Sequence, residues 1–168
     1  GTVINGTIHV TDAVATQAQS DATTAYNALA GSAVTTVLTG TDLGGLTLTP
    51  GVYFFSTSAQ LTGTLTLDPQ GDPAAVFLIQ MGSTLTTASN SAVVLINGGH
   101  ACEVFWQVGS SATLGTNTAF QGSILALASI SLLNGATMEG GAFAQTGAVT
   151  MDSNLINCLL YTSDAADE

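Results

Sequence analysis

Lysine and arginine are absent from this chain, so its 11 acidic residues stand uncompensated and the formal net charge is −11. Nucleic acid and anionic membrane are excluded as partners on that ground, because both are held by basic side chains. Charged residues of either sign make up only 7% of the 168 residues, which leaves small and uncharged polar groups to cover the surface. Cysteine is nearly missing as well. Cys102 and Cys158 allow one disulfide in an oxidising compartment, and without a CxxC or a histidine cluster they suggest no metal site. No stretch approaches the roughly 18–20 consecutive apolar residues of a membrane span. No leader is visible. The chain opens in mid-pattern on Gly1-Thr2-Val3-Ile4-Asn5-Gly6, as a sequence whose beginning is missing. Composition points to a secreted or cell-surface protein.

Catalytic constellations are lacking too. Asp68, Asp72, Glu103, Glu139 and Asp152 are scattered rather than paired at the separation glycoside hydrolysis needs. Asp68 and Asp72 share a Pro-flanked stretch where turn formation explains them. His9 and His100 are the only histidines, and no nucleophile elbow accompanies them. A lyase would need a cationic base or charge neutraliser, which this chain does not have. The expectation is a protein that is not an enzyme and uses no cofactor.

What is present is repetition. Hydrophobic residues reach 46%, enough for one domain with a real core. A small polar residue followed by a large apolar one recurs as Thr47-Leu48, Thr66-Leu67, Thr84-Leu85, Thr113-Leu114, Ser131-Leu132 and Thr150-Met151, at intervals of 19, 18, 29, 18 and 19 residues. A period near 18 with strand-like alternation reads as the rung of a β-solenoid, with the apolar residue inward and its neighbours outward. Six hydroxyls, Thr47, Thr66, Thr84, Thr113, Ser131 and Thr150, are then expected in one outward column, with Thr86 beside it.

Rungs are expected from Leu43, each with three sides, and in the Leu67 rung residues 68–73 are expected to replace the side that follows the polar-apolar phrase. Strongly apolar runs form one of the three sides: Val52–Phe55, Val76–Ile79, Val104–Trp106, Ile124–Leu127 and Ala142–Ala144. Being apolar at consecutive positions, they need cover on both faces. The cover is expected from a helix at about 11–30, with Thr11 or Asp12 as N-cap, Gly31 at the far end, and Val14, Ala18, Ala22, Ala25 and Leu29 on one stripe. The remaining side follows the polar-apolar phrase and reads Thr87-Ala88-Ser89-Asn90, Thr116-Asn117-Thr118, Asn134-Gly135-Ala136-Thr137 and Ser153-Asn154. Inserts are expected at 68–73 and 98–102, and a strand at 2–9. Residues 158–168 break the pattern and resemble translated adapter sequence, so they are set apart from a domain at 1–157.

A flat grid of stiff Thr side chains offers regularly spaced methyl and hydroxyl groups with little entropy to lose. It suits a rigid periodic ligand such as crystalline ice or crystalline polysaccharide. Thr is also simply a good strand former on a solvated face.

Several segments resemble the microbial ice-binding proteins built on a discontinuous β-solenoid with an accompanying helix. They are Gly6-Thr7-Ile8-His9, the helix around Asp21–Tyr26, Asp42–Tyr53, Leu61–Asp68, Gly71-Asp72-Pro73 with Val76-Phe77, and Val104–Thr116. The similarity runs from residue 1 to about 157. It implies a right-handed triangular β-solenoid of about six rungs, one long helix along one face, further rungs in a missing N-terminal portion, and a monomer that adsorbs to ice and inhibits its growth and recrystallisation. Strongly active members carry a loose Thr-Ala/Gly-x-Thr/Asn step on the ice-facing sheet. On that pattern the resemblance puts ice contact at Thr87, Ser89, Asn90, Thr116, Thr118, Asn134, Thr137 and Ser153, with the Thr47-to-Thr150 hydroxyls as a second candidate face. Relatives also serve in adhesins, so the competing expectation is a surface module that binds polysaccharide or protein.

Overall fold

The computed structural model describes residues 7–157. Short strands follow one another in coils of three, and each coil stacks on the one before in parallel register. Coil 1 holds β1 (Thr36–Val37) and β2 (Thr47–Leu48), with Asp42 bridging to coil 2 between them. Coil 2 holds β3 (Gly51–Phe55), β4 (Ala59–Leu61) and β5 (Thr64–Leu67). Coil 3 holds β6 (Phe77–Met81), β7 (Leu85–Thr87) and β8 (Ala92–Leu95). Coil 4 holds β9 (Val104–Val108), β10 (Ala112–Leu114) and β11 (Ala119–Gln121). Coil 5 holds β12 (Ser123–Ala126), β13 (Ile130–Leu132) and β14 (Thr137–Glu139). Coil 6 holds β15 (Ala142–Ala144), β16 (Val149–Met151) and β17 (Leu155–Asn157). The result is a triangular β-solenoid with three faces: sheet A of six strands, sheet B of five and sheet C of six, each in chain order.

The core lies inside the triangle. Alternation along each strand sends one set of side chains inward, and Phe55, Leu61, Leu65, Leu67, Phe77, Ile79, Leu85, Trp106, Leu114 and Phe120 are essentially sealed from solvent. Trp106 packs on Phe120 with ring centroids 4.9 Å apart, and its indole N–H donates to the Gln121 carbonyl at 3.1 Å. That bond satisfies the one polar atom this side chain brings inside.

Sheet A is the apolar side anticipated above, and the helix covers it. Helix α1 (Ala13–Ala30) begins at Asp12, whose Oδ1 accepts from the Ala15 amide at 2.8 Å. It lies against β6, β9 and β12. Leu78, Gln80, Gln107 and Leu125, which point out from sheet A, are thereby buried. Gln145 fastens the helix near coil 6, donating to the Ala22 carbonyl at 3.2 Å and accepting from the Thr23 hydroxyl at 2.9 Å. Of the expected stripe, Ala22 and Leu29 are half-buried, while Val14 is 55% exposed. Gly31 keeps a right-handed φ of −86°.

The corner between sheets B and C places one residue per coil at positive φ: Gly45, Gly63, Asn90, Asn117, Gly135 and Ser153. Glycine or a short polar residue adopts that conformation at least cost. At Gly135 the reason is spatial as well, since a Cβ there would sit 2.4 Å from Asn117 Oδ1.

Three expectations are corrected. Both inserts, at 68–76 and 96–103, leave from the corner between sheets C and A, so 68–73 does not replace a rung side. There Asp68 Oδ1 accepts from the Gln70 amide at 2.8 Å and from Asn97 Nδ2 at 2.9 Å, which makes it a turn former. Coils begin at Thr36, before Leu43. Thr7–Val10 lies outside any strand, and the rest of the strand expected at 2–9 is outside the described residues. So are residues 158–168, with Cys158 and any pairing of it to the exposed Cys102.

Candidate functional site

The polar-apolar phrase does not make one column. Thr47 pairs with Thr66 on sheet C, and Thr66 with Val94. Thr86, Thr113, Ser131 and Thr150 pair successively on sheet B, continuing from Gln60. Thr84 precedes β7 and stands at the corner between sheets A and B, where its hydroxyl donates to Ser58 Oγ at 2.8 Å. The physical reason is the inserts. Successive residues of the sheet B column are 26, 27, 18 and 19 positions apart, and in-out alternation looks alike on every side of a triangle.

Sheet B therefore presents a straight outward row, Gln60, Thr86, Thr113, Ser131 and Thr150, at a repeat of about 4.8 Å set by strand spacing. None of the five is charged, aromatic or large and apolar. Inward neighbours lock the row. Leu85, Ala112, Leu114, Ile130 and Leu132 flank it and are 0–2% exposed. Thr150 donates to Ser131 Oγ at 3.0 Å, so two hydroxyls of the row are already oriented. Beside it runs a second row, Ser58, Thr84, Ser111 and Ser129, of which sequence reasoning found only Thr84. Ser111 Oγ accepts from the Ser129 amide, and Ser129 Oγ from the Ala148 amide, both at 3.4 Å. A hydroxyl two positions before Thr86, Thr113 and Ser131 was the signal that could have found it.

The residues given first place by the resemblance are dispersed. Ser89, Asn90, Asn134 and Ser153 are exposed and Thr116 is half-buried, all at the turn between sheets B and C, beyond the flat part of either. Asn117 Nδ2 reaches Asn90 Oδ1 at 3.5 Å, a contact within that turn. Thr137 faces outward on sheet C. Thr87 and Thr118 are corrections: they are 3% and 0% exposed and bond to each other inside the corner at 2.8 Å, so neither reaches an external surface. Thr87 is inward because it stands one residue past Thr86 in the same strand.

A carboxylate stands at the coil 1 end of the sheet B row. Asp42 bridges to Gln60, and its carboxylate accepts from the Gly44 amide at 2.7 Å, the Thr62 amide at 2.9 Å and the Thr62 hydroxyl at 2.7 Å. Partial burial pushes this carboxyl up, but those three hydrogen bonds outweigh it and hold it below the usual value. Among the described residues no group of three or more His, Cys, Asp or Glu could hold a metal, and no helix is long and apolar enough to cross a membrane.

Residues 1–157 match the family model described as ice-binding-like. The chain belongs to the ice-binding-like family. An ice-binding protein of Nostoc sp. (strain HG1) is 62% identical over 161 residues, covering 95% of this chain and 60% of the relative. The crystal structure of an ice-binding protein from the Antarctic ascomycete Antarctomyces psychrotrophicus superimposes with a TM-score of 0.88 at 42% identity, covering 90% of this chain and 75% of that one. A domain of ice-binding protein 1 from Shewanella frigidimarina gives 0.83 at 37% identity, covering 92% and 69%. These likenesses establish the family and its solenoid-with-helix fold for this chain, which spans about three-fifths of the Nostoc relative's length.

Proposed function

We propose that this protein is secreted and adsorbs to ice through sheet B, without catalysis or cofactor, and so inhibits ice growth and recrystallisation. The observation that carries the reading is the straight, uncharged row of Thr86, Thr113, Ser131 and Thr150 on four in-register strands. Thr is stiff at χ1, so the row loses little freedom on meeting a crystal. Uncharged groups release their hydration at lower cost than ions do. The Nostoc, Antarctomyces and Shewanella proteins are all described as ice-binding, which supports the same reading. Nothing in those likenesses favours the adhesion alternative.

This reading moves the principal contact from the corner residues to the row first ranked second. Ser89, Asn90, Thr116, Asn134 and Ser153 become its rim, and Thr47, Thr66 and Thr137 belong to another face. The protein acts as a monomer, one face to one ice surface.

Recrystallisation inhibition and ice shaping test it, with wild type beside Thr113→Tyr and Thr137→Tyr. Wild type is expected to act, Thr113→Tyr to lose activity because the ring stands proud of the row, and Thr137→Tyr on sheet C to retain it. An inactive wild type overturns the function. Equal activity of wild type and Thr113→Tyr overturns the face.

A further inference from the structure

The inward column behind the sheet B row contains one misfit. Leu61, Leu114 and Leu132 are buried where β4, β10 and β13 end, but β7 ends in Thr87. A hydroxyl buried where leucine would fit is costly unless it is hydrogen-bonded. Here it is bonded twice, and on the far side it meets a second buried hydroxyl, Thr118.

The donors and acceptors can be assigned by counting protons. The Gly115 amide donates to Thr87 Oγ1 at 2.8 Å, and Thr118 Oγ1 donates to the Ala88 carbonyl at 3.2 Å. Each hydroxyl carries one proton, so the 2.8 Å contact between them runs from Thr87 to Thr118. The relay is Gly115 N–H to Thr87 O–H to Thr118 O–H to Ala88 C=O. It passes from coil 4 to coil 3, back to coil 4 and back to coil 3.

Its position gives it a task. The ladder between β7 and β10 pairs only Ala112 with Leu85 and Thr113 with Thr86, whereas β4 with β7 and β10 with β13 pair over three residues. The Thr87 hydroxyl receives the Gly115 amide just past the point where that ladder stops. Coil 4 is drawn in closely there: a Cβ on Gly115 would lie 2.5 Å from the Thr87 carbonyl oxygen. A related stitch joins coils 2 and 3, where Ser91 Oγ donates to the Leu61 carbonyl at 3.0 Å and accepts from the Gly63 amide at 3.2 Å.

We infer that Thr87 and Thr118 are positioning residues for ice adsorption: a buried hydroxyl relay that holds coils 3 and 4 level, so that Thr86 and Thr113 lie in one plane with the rest of the row. The inference rests on the proposed function of sheet B. It explains why a Thr-rich step that never meets the surface belongs next to one that does.

The test uses Thr87→Val, which deletes the hydroxyl at nearly constant size, Thr87→Ser, which restores it, and Thr118→Ala. Coil 5 carries Ala136 fully buried at the corner in the place Thr118 occupies in coil 4, so the fold accommodates that residue. A core variant remote from the corner, Phe55→Leu, serves as the stability control. All are compared for recrystallisation inhibition at a temperature where melting curves show each to be folded. Thr87→Val and Thr118→Ala are expected to lose activity severalfold, Thr87→Ser to recover it, and Phe55→Leu to stay at wild-type activity despite a lower melting temperature. Wild-type activity in Thr87→Val and Thr118→Ala overturns the inference while leaving the ice reading intact. Loss in Phe55→Leu equal to that in Thr87→Val also overturns it, since stability alone would then explain the effect. An inactive wild type fails the proposed function itself, and an unaffected Thr113→Tyr fails the choice of sheet B as the face.

Discussion

Gln80 on β6 donates to the Leu29 carbonyl of α1 at 2.6 Å, and the same amide nitrogen reaches the Ser32 carbonyl at 3.2 Å. The last carbonyls of a helix have no partner within it; that of Leu29 also accepts from the Ser32 amide at 3.2 Å, and Ser32 follows the helix end. Gln80, placed beneath them, is 3% exposed. Gln80→Ala is expected to cost about 1 kcal/mol, the net worth of the hydrogen bonding it removes. Urea unfolding measures it. A change within about 0.5 kcal/mol, as for an ordinary surface site, would show that water replaces the amide.

Trp106 fills the middle of the triangle and meets Phe120 there. Trp106→Ala leaves a cavity that coils fixed on three sides cannot close, with an expected loss of about 3–5 kcal/mol. Trp106→Phe keeps the ring against Phe120 but strands the Gln121 carbonyl, and its loss should be the smaller of the two. Thermal unfolding of both variants checks the order.

Asp42 makes the first coil sensitive to acid. Burial raises its carboxyl pKa, but the hydrogen bonds from Gly44 and Thr62 prevail and lower it from 3.8. A carboxylate depressed in the folded state contributes its stability above the unfolded pKa and loses it as pH falls through the folded one. The contribution is thus complete at neutral pH and fades as pH drops below 3.8. Asp42→Asn should be less stable than wild type at neutral pH and converge with it in strong acid. Urea midpoints across that range, parallel at every pH, would contradict this.

Leu133, directly after β13, is a large apolar side chain that breaks the hydroxyl character at the edge of sheet B, and it is 43% exposed. Leu133→Thr would extend the grid by one hydroxyl beside Ser131 at little cost to stability. It should raise recrystallisation inhibition at equal concentration. A fall in activity would mean that the leucine methyls themselves meet the ice.

Most of the fold was legible because it rests on local physics. Ala-rich spacing and the Asp12 cap marked α1, and apolar residues at consecutive positions marked sheet A as the face in need of cover. The register was not legible. Thr66-Leu67 and Thr113-Leu114 are the same dipeptide pattern on different sheets, and a period-2 alternation carries no label for the side it occupies. Two inserts in successive coils then changed the true repeat to 26 and 27 residues. The burial of Thr87 and Thr118 was hidden for a related reason. Thr suits both a wet strand face and a hydrogen-bonded interior, and only the pairing of Thr86 with Thr113 decides which way its neighbour turns.

A stack of coils in which each touches only its neighbours could lose them one at a time, like turns slipping off a reel. The helix prevents that here. Gln80 ties it to coil 3 across 51 residues of sequence, and Gln145 ties it at coil 6 across 123. Coil 6 cannot peel away without releasing the helix, and releasing the helix bares the apolar back of sheet A. The strap on one face thereby makes unfolding of the whole stack a single event, and sheet B stays in one piece for as long as the strap holds.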